Sequence, residues 1–414
     1  MRKGPQRPHH QPRAAAFVTA LVLLAGLAIA LAPNTGWAQA SETRLQIYGH
    51  VMLDMGYQTG QNHPDWFDVV RPTKLPAYEH EFGEDGHFFS GVRQSRFGVK
   101  SFTPTDLGEL RTTFEFELFG TGGDAGQTTF RLRHAYGELG QIGAGQTWSP
   151  FMDIDVFPNS LEYWGPNGMV FFRNVQVRWM PVQGDSRVTI ALERPGASGD
   201  AGDYSNYSEV TEGLQGRYPA PDISAEFRLG KPWGYVEVAG IVRYMKLDDV
   251  MDDEFDLSDE AVGWGVNVSS NLKIQKDTVR LQFVYGEGIA NYMNDATVDV
   301  GLKETGDAAS PLEVQPIPVM GIVAFYDRTW NDKWTSTAGY SRFEMDNLDG
   351  QTDDSFKTGQ YALANLLYYP APNVMLGPEL QWGERENFKD GWKVDDYRIQ
   401  FSFKYNFSYQ LGGS

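Results

Sequence analysis

Arginine side chains recur at alternate positions in several short stretches of this chain. Arg131 and Arg133 show the spacing, with one residue between them. Residues two apart on an extended strand lie on the same face. Guanidinium groups attract small anions, and each can bind a carboxylate through two parallel hydrogen bonds. The pattern therefore favours the attraction and orientation of small anions.

Covalent and metal chemistry have few candidate residues. The chain has no Cys, which excludes disulfides, thiolate zinc sites and cysteine nucleophiles. A hydrolase would need a Ser–His–acid set, and only His50 and His134 lie on proposed strands, with His134 on the outward face. His63, His80 and His87 lie among carboxylates, but their spacing is irregular for a metal site. We expect no enzyme activity, no cofactor and no bound metal.

The charge balance argues against nucleic acid as a partner. The 414 residues include 35 Lys and Arg against 54 Asp and Glu, a formal net charge of −19. No basic excess is available to replace phosphate counterions. Much of the acid lies in proposed loops, and residues 248–260 hold eight carboxylates in thirteen positions.

The N-terminus has the order of a secretory signal. Arg2 and Lys3 precede an apolar run over residues 14–32, and Ala38 and Ala40 form a small-x-small cleavage pattern. We predict a signal peptide over residues 1–40, with a permanent anchor as the alternative. Export places the mature protein in or beyond the cell envelope.

The elements that position the charged residues are short alternating strands. Apolar residues occupy every second position in many runs, and almost no stretch has helical spacing. A soluble sandwich and a membrane barrel both give this pattern. Aromatic apolar faces, charged opposite faces and alternating short and long connections favour the barrel, which must close because every backbone group in lipid needs a partner.

We predict an all-β fold: a closed antiparallel transmembrane β-barrel over residues 41–407, followed by a short tail over residues 408–414. Sixteen strands fit the runs best, and eighteen are possible. Short connections are expected on the periplasmic side and long ones outside.

Strand phase gives the residues that should face the lumen. The inward cations are Arg96, Lys100, Arg111, Arg131, Arg133, Arg178, Arg187, Arg228, Arg243, Arg280, Arg398 and Lys404. All of these except Arg228 and Lys404 are candidate pore-lining residues. The inward acids are Asp54, Glu115, Glu117, Glu193, Glu226, Glu237 and Glu379. Arg93 and Arg173 are out of phase and are expected near the extracellular rim. Simple pairing of these arginines with the inward acids is the alternative interpretation.

One connection, residues 149–168, is too apolar to stand in water. We expect it to fold into the lumen and narrow it, with Asp153, Asp155 and Glu162 facing the arginine wall. The alternative is a surface loop that contacts a neighbouring protomer.

Several stretches resemble the DcaP-like family of outer-membrane porins. They are SRFGVK at 95–100, FRLRHAYGEL at 130–139, GQTWSPFMD at 145–153, FRNVQVRW at 172–179 and the end of the last strand at 404–407. The resemblance implies a trimeric sixteen-stranded porin with an arginine-rich constriction that passes small anions such as dicarboxylates. Arg96, Arg131, Arg133 and Arg178 lie in the matching stretches. Two departures are the lack of a coiled-coil segment before the first strand and the residues after Phe407.

Together these features predict a porin of the bacterial outer membrane for passive diffusion of small, preferentially anionic solutes. Its expected partners are those solutes, outer-membrane lipid and lipopolysaccharide, and further copies in a homotrimer. A barrel-supported hydrolase, or an adhesin or receptor acting through the acidic loops, are the alternatives.

Overall fold

The computed structural model describes residues 43–207, 212–251, 256–307 and 310–412. The predicted signal peptide, residues 1–40, lies outside the described residues. No helix in the described part of the chain is long and apolar enough to cross a membrane.

Sixteen antiparallel strands form one closed sheet, which confirms the predicted fold class and strand number. Each strand pairs with the next along the chain, and the last pairs with the first from Leu45 opposite Leu411 to Gln58 opposite Arg398. The strands are β1 (Arg44–Gln58), β2 (Arg96–Thr105), β3 (Gly108–Phe119), β4 (Thr128–Leu139), β5 (Ile142–Trp148), β6 (Arg173–Val182), β7 (Arg187–Glu193), β8 (Asp222–Lys231), β9 (Gly234–Asp249), β10 (Asp259–Ile274), β11 (Asp277–Glu287), β12 (Pro318–Asn331), β13 (Trp334–Met345), β14 (Phe356–Asn365, continued by Leu367–Tyr368), β15 (Val374–Asn387) and β16 (Lys393–Leu411).

Smaller elements lie in the long connections. Short strands at His87–Gly91, Gly199–Asp200, Leu214–Arg217, Val300–Asp307 and Ser310–Pro316 extend the wall or pair above it. Single turns of 3-10 helix occur at Pro64–Trp66, Pro72–Lys74, Gly122–Asp124, Ile154–Val156, Gly202–Asn206 and Ala290–Tyr292.

Alternation decides which side chains face outward. On β9, Val236 and Val238 are exposed while Glu237 between them is 1% exposed. A strand with a period of two puts neighbouring side chains on opposite faces of the sheet. The exposed apolar side chains thus point away from the lumen, as they do in a barrel surrounded by lipid.

A β-bulge in β4 shifts the phase of that strand. Glu115 pairs with His134 and Phe116 pairs with Leu132, so Arg133 is the extra residue. Arg133 and His134 therefore both face inward, and His134 Nδ1 lies 3.0 Å from Thr147 Oγ1. The outward position expected for His134 is wrong because strict alternation cannot anticipate a bulge.

Two connections fold into the barrel: the first loop, residues 59–95, and the inner loop, residues 149–172. Phe151, Met152 and Val156 of the inner loop pack into a buried apolar cluster with inward-facing wall residues such as Phe325 and Phe343. The inner loop therefore packs against side chains on the inner face of the wall. This packing also shows that the β9–β14 wall carries large apolar side chains, because the loop needs an apolar surface to pack against.

The last strand is longer than expected. The sequence prediction ended the barrel at Phe407, whereas β16 continues to Leu411 and remains paired with β1. Tyr409 and Leu411 are exposed and lie on the same face as Phe407, so the alternation continues past that residue.

Candidate functional site

Four arginines surround one buried carboxylate on the inner wall of β2–β6. Glu117 Oε2 lies 2.6 Å from Arg133 Nη1 and 3.3 Å from Arg96 Nη2, and its Oε1 lies 3.7 Å from Arg131 Nη1 and 3.8 Å from Arg173 Nη2. We call these residues, with Glu115, the Glu117 cluster.

Glu115 adds a second carboxylate to the cluster. Its Oε1 lies 2.6 Å from Arg133 Nε and 3.7 Å from Arg96 Nε. Four guanidinium groups therefore meet two carboxylates, which leaves two positive charges without an internal partner. Arg96 and Arg131 each expose slightly more than a quarter of the side chain, whereas Arg133 and Arg173 are 5% exposed. The surplus charge is thus presented to the lumen by Arg96 and Arg131.

Arg173 belongs to this cluster although the sequence placed it near the rim. Its guanidinium lies over the Trp148 ring, 4.9 Å from the ring centre, and its Nη1 is buried without a hydrogen-bond partner. The residue opens β6 directly after the inner loop, so strand alternation does not yet set its direction. Arg93, also expected at the rim, is enclosed and forms an ion pair with Asp68.

The inner loop reaches the Glu117 cluster through Tyr163. The Tyr163 hydroxyl donates to Glu117 Oε1, and its ring stacks on Phe119 at 3.9 Å and 9°. Arg131 Nη1 lies 3.4 Å from the same hydroxyl. A side chain of the loop therefore contacts the wall that carries the arginines.

The other end of the inner loop is fixed to β8–β10. Asp153 is fully buried and accepts hydrogen bonds from Arg228 Nη2, Tyr235 Oη and Ser269 Oγ, each at 2.6 Å. Asp155, about half exposed, pairs with Arg228 Nη1 at 2.5 Å. These carboxylates face Arg228, one of the arginines that strand phase placed on the inner wall, and they do not reach the Glu117 cluster. Arg228, which strand phase placed inward but outside the pore-lining set, holds the loop.

Glu162 is also buried away from the arginines of the Glu117 cluster. It accepts hydrogen bonds from the backbone N–H of Val70 at 3.1 Å and of Gly165, and from Tyr361 Oη at 3.3 Å. Burial raises the pKa of the Glu162 carboxyl to about 7. The residue joins the two inserted loops and does not line open space.

The remaining candidate cations divide into two groups. Arg111, Arg187 and Arg280 are partly exposed and pair with carboxylates: Glu109 at 2.9 Å, Glu226 and Glu237 at 3.0 Å, and Asp327 at 2.6 Å. Arg243 and Arg398 are enclosed and do not reach open lumen. Arg243 binds Asp222 and Asp299, and Arg398 lies over Phe89 and donates to the backbone oxygen of Asp68. Lys100 lies over the Tyr48 ring, and Arg178 donates from Nη2 to the backbone oxygen of Trp148 at 3.0 Å.

A cavity of about 240 Å³ borders the Glu117 cluster and is lined by Arg131, Arg71, Tyr163, Trp164, Phe171 and Phe172 among others. Arg71 comes from the first loop and was missed by the sequence analysis, since no alternation marks a loop residue. Its guanidinium lies against both Trp66 and Trp164, 4.1 Å from each ring centre, and its Nε bonds Asp295 at 2.9 Å. Two guanidinium groups and several aromatic rings thus share one small cavity.

No described group of three or more His, Asp or Glu side chains is arranged to hold a metal ion. A closed barrel with a loop inside it and a charged inner wall is the architecture of outer-membrane channels. The family model described as DcaP outer membrane protein matches residues 32–407. The chain belongs to the DcaP outer membrane protein family.

Solved structures of outer-membrane channels share the fold. The outer membrane channel DcaP of Acinetobacter baumannii superposes with a TM-score of 0.72 at 20% identity, over 90% of this chain and 100% of that one. An anion-selective porin from Comamonas acidovorans gives 0.56 at 11% identity, over 88% and 100% of the two chains. OmpT of Vibrio cholerae gives 0.54 at 12% identity, over 90% and 100%. No curated protein sequence matches the chain significantly.

This DcaP-family protein is therefore an outer-membrane protein of the channel and porin class. Its location is the bacterial outer membrane, as the sequence predicted. The family to which the chain belongs is one of outer-membrane channels and porins, not of enzymes. The predicted hydrolase alternative is set aside on that ground.

Proposed function

We propose that this DcaP-family protein is a passive channel that prefers small anions, with dicarboxylates as the favoured class. The observation that carries the proposal is the Glu117 cluster, where four guanidinium groups meet only two carboxylates at the edge of the lumen. A surplus of positive charge in a narrow passage raises the local concentration of anions.

The cluster presents guanidinium groups that a solute can reach. Arg96 and Arg131 each expose slightly more than a quarter of the side chain. A guanidinium carries five N–H donors, so one that is partly exposed can bind a solute while it keeps its carboxylate partner. An anion that passes the cluster can accept from the exposed arginines without removing Glu117 from Arg133.

The adjoining cavity favours a solute with two carboxylates. Arg71 and Arg131 both line it, and the side chains of Tyr163, Trp164 and Phe171 supply apolar surface. One carboxylate can meet each guanidinium while the carbon skeleton lies against the rings. A volume of about 240 Å³ suits a small molecule rather than a peptide or a sugar chain.

We also propose that the channel assembles as a homotrimer through the outer face of β2–β5. Ser101, Thr112, Gly137 and Ala144 form one outward row across these four strands, and Ser101 Oγ lies 2.6 Å from Thr112 Oγ1. Small and hydroxyl side chains gain little from acyl chains but permit close approach of another protein surface. The exposed apolar faces of the other strands are left for outer-membrane lipid and lipopolysaccharide.

Planar-bilayer recording in a salt gradient tests the channel function. Steady ohmic conductance with a reversal potential biased toward anions supports the proposal, and a cation-biased or absent conductance would contradict it. Light scattering of the detergent-solubilised protein tests the assembly. A mass of three chains is expected, and Gly137→Trp should reduce it to one chain without loss of the folded barrel.

A further inference from the structure

A second cavity, of about 720 Å³, lies beneath the inner loop at the short-turn end of the barrel. The inner loop contributes Asp155 and Phe157 to its lining, and the β6–β7 and β8–β9 turns contribute Gly184 and Lys231. We call it the lower cavity. None of its lining residues belongs to the Glu117 cluster, which lies where β2 and β6 begin after long connections. The lower cavity is therefore separate from that cluster.

Three arginines of the lower cavity form one connected group. Arg187 Nη2 and Arg228 Nε lie 3.0 and 2.5 Å from the same oxygen, Oε2 of Glu237. Arg228 Nη1 lies 2.5 Å from Asp155 Oδ2, and Arg280 Nη1 donates to the backbone oxygen of Asp155. Direct contacts thus join β7, β8 and β11 to the inner loop at this cavity.

The carboxylates that pair with these arginines differ in exposure. Asp153, Glu226 and Glu237 are buried and Asp327 is mostly buried, whereas the Asp155 side chain is 49% exposed. Five carboxylates for three arginines leave no positive surplus within this group, so a solute anion must replace one of them. Asp155 is the carboxylate that a solute in the cavity can reach.

Two lysines add positive charge beside this group. Lys231 and Lys273 line the lower cavity, and no carboxylate oxygen in the described part of the chain lies within 4.0 Å of either Nζ. Lys273 is two residues beyond Asn271 on β10, which puts both side chains on the same face of the strand. Asp185 is the one further carboxylate of the lining. The lysines therefore attract an anion toward the cavity.

The inner loop does not depend on the Asp155 carboxylate for its position. Asp153, two residues earlier, is buried and holds the loop through Arg228 Nη2 at 2.6 Å. The backbone oxygen of Asp155 accepts from Asn271 Nδ2 at 2.6 Å and from Arg280 Nη1. The Asp155 carboxylate is thus a resident anion on Arg228, and its presence there shows that this guanidinium can bind a carboxylate from the side of the cavity.

We propose that the lower cavity is a second binding site for small dicarboxylates, in which one solute carboxylate replaces that of Asp155 on Arg228 and the other is attracted by Lys273. This inference rests on the proposed function and adds to it a site that the inner loop itself occupies until a solute arrives. A guanidinium binds one carboxylate as well as another, so the exchange leaves Arg228 paired. Conduction through successive weak sites lets a solute bind and still leave.

Succinate block of the chloride current tests the lower cavity. The apparent Kd for block is measured in planar bilayers with succinate on both sides. Asp155→Ala removes the competing carboxylate and keeps the backbone contacts of residue 155, so block should strengthen by about threefold or more. Lys273→Gln removes an attractive charge, so block should weaken by about threefold or more.

Each variant has a control that makes the same change of charge on a short turn. Asp332→Ala and Lys276→Gln change exposed residues that do not line the lower cavity, and screening by salt should keep their Kd within about twofold of the wild type. Residues 149–172 should stay protected from protease in Asp155→Ala, because Asp153 still holds the loop.

Several results would overturn the second site. Block that is unchanged or weaker in Asp155→Ala would do so, and so would unchanged block in Lys273→Gln. A control that shifts the Kd as much as its cavity variant would show that the charge acts without a site. Loss of protease protection in Asp155→Ala would show that Asp155 anchors the loop and is not a resident anion.

The outcome for the lower cavity can be separated from that for the proposed function. If the wild type is not anion selective, the proposed function fails, while opposite shifts of block in Asp155→Ala and Lys273→Gln would still support the second site. If selectivity depends on Arg131 but block responds to neither variant, only the second site fails.

Discussion

Tyr163 of the inner loop donates a hydrogen bond to Glu117 on β3, and this bond ties the loop to the wall that carries the arginines. The same loop is fixed to β8, five strands further along the wall, through Asp153 and Arg228. The loop therefore spans the lumen between these two parts of the wall. The passage beside it is bounded by the Glu117 cluster on one side and by the loop's aromatic rings on the other.

Tyr163→Phe should loosen the loop at the cluster without changing its charge. A hydrogen bond to a charged group contributes about 1.5–3 kcal/mol, and only the hydroxyl is removed. We expect larger and more variable single-channel conductance with the same reversal potential. Tyr48→Phe is the matched control, because Tyr48 is a residue of the wall itself and donates a hydrogen bond of 2.7 Å to Glu115. Equal effects of the two substitutions would show that the loop contact is not what narrows the passage.

Arg131→Gln and Arg173→Gln should each reduce anion preference, and together they remove the surplus charge of the cluster. One charge at about 7 Å in water-like surroundings attracts an anion and repels a cation by about 0.6 kcal/mol each, so each substitution should lower the anion-to-cation permeability ratio by up to about sevenfold. The ratio is measured from the reversal potential in a salt gradient. Arg111→Gln, at a side chain that is 57% exposed, should change it little. If the double variant leaves the permeability ratio unchanged, the Glu117 cluster does not determine the ion selectivity.

The strands could be predicted from the sequence because side chains on a strand alternate strictly between its two faces over many residues. The alternation of β8, β9 and β16 predicted which side chains face inward, and the closed sixteen-stranded sheet follows that pattern. It failed at His134, where the bulge adds a residue to the strand, and at Arg173, where a strand begins. In both places the pairing partner sets the direction of the side chain, and one sequence does not contain that information.

The candidate site could be predicted only in part for the same reason. Arg96, Arg131 and Arg133 lie together as their spacing indicated. Arg71 comes from a loop, where no periodicity predicts its direction. Arg243 faces inward as predicted but is covered by residues of the connections around Gly196 and Gly288. Facing inward is a property of the strand, whereas lining a passage depends on which loops fold over it.

Arg228→Ala should release the inner loop from β8. Removing one partner of a buried ion pair costs about 3–5 kcal/mol, and Asp153 would be left buried without its cation. This cost shifts the balance between docked and released loop by roughly a hundredfold or more. We expect protease cleavage within residues 149–172 and higher conductance. Arg187→Ala is the control, since Arg187 pairs with Glu226 and Glu237 but with no loop carboxylate. If the loop stays protected from protease in Arg228→Ala, contacts other than the one with Arg228 hold it in place.

Docking of the inner loop should weaken as pH rises through the range in which Glu162 loses its proton. Burial raises the pKa of the docked Glu162 carboxyl to about 7, above its ordinary value of 4.5. The docked state therefore binds the proton more tightly than the released state, and docking is firmest below the ordinary value. Stability of the docked loop falls between about pH 4.5 and pH 7 and is level above that range. Open-channel current noise should accordingly be higher at pH 8 than at pH 5. Glu162→Gln should abolish this difference, because the amide does not titrate. Glu79→Gln, at a carboxyl that is 80% exposed, should preserve it. If the pH dependence of the current noise persists in Glu162→Gln, another titrating group causes it.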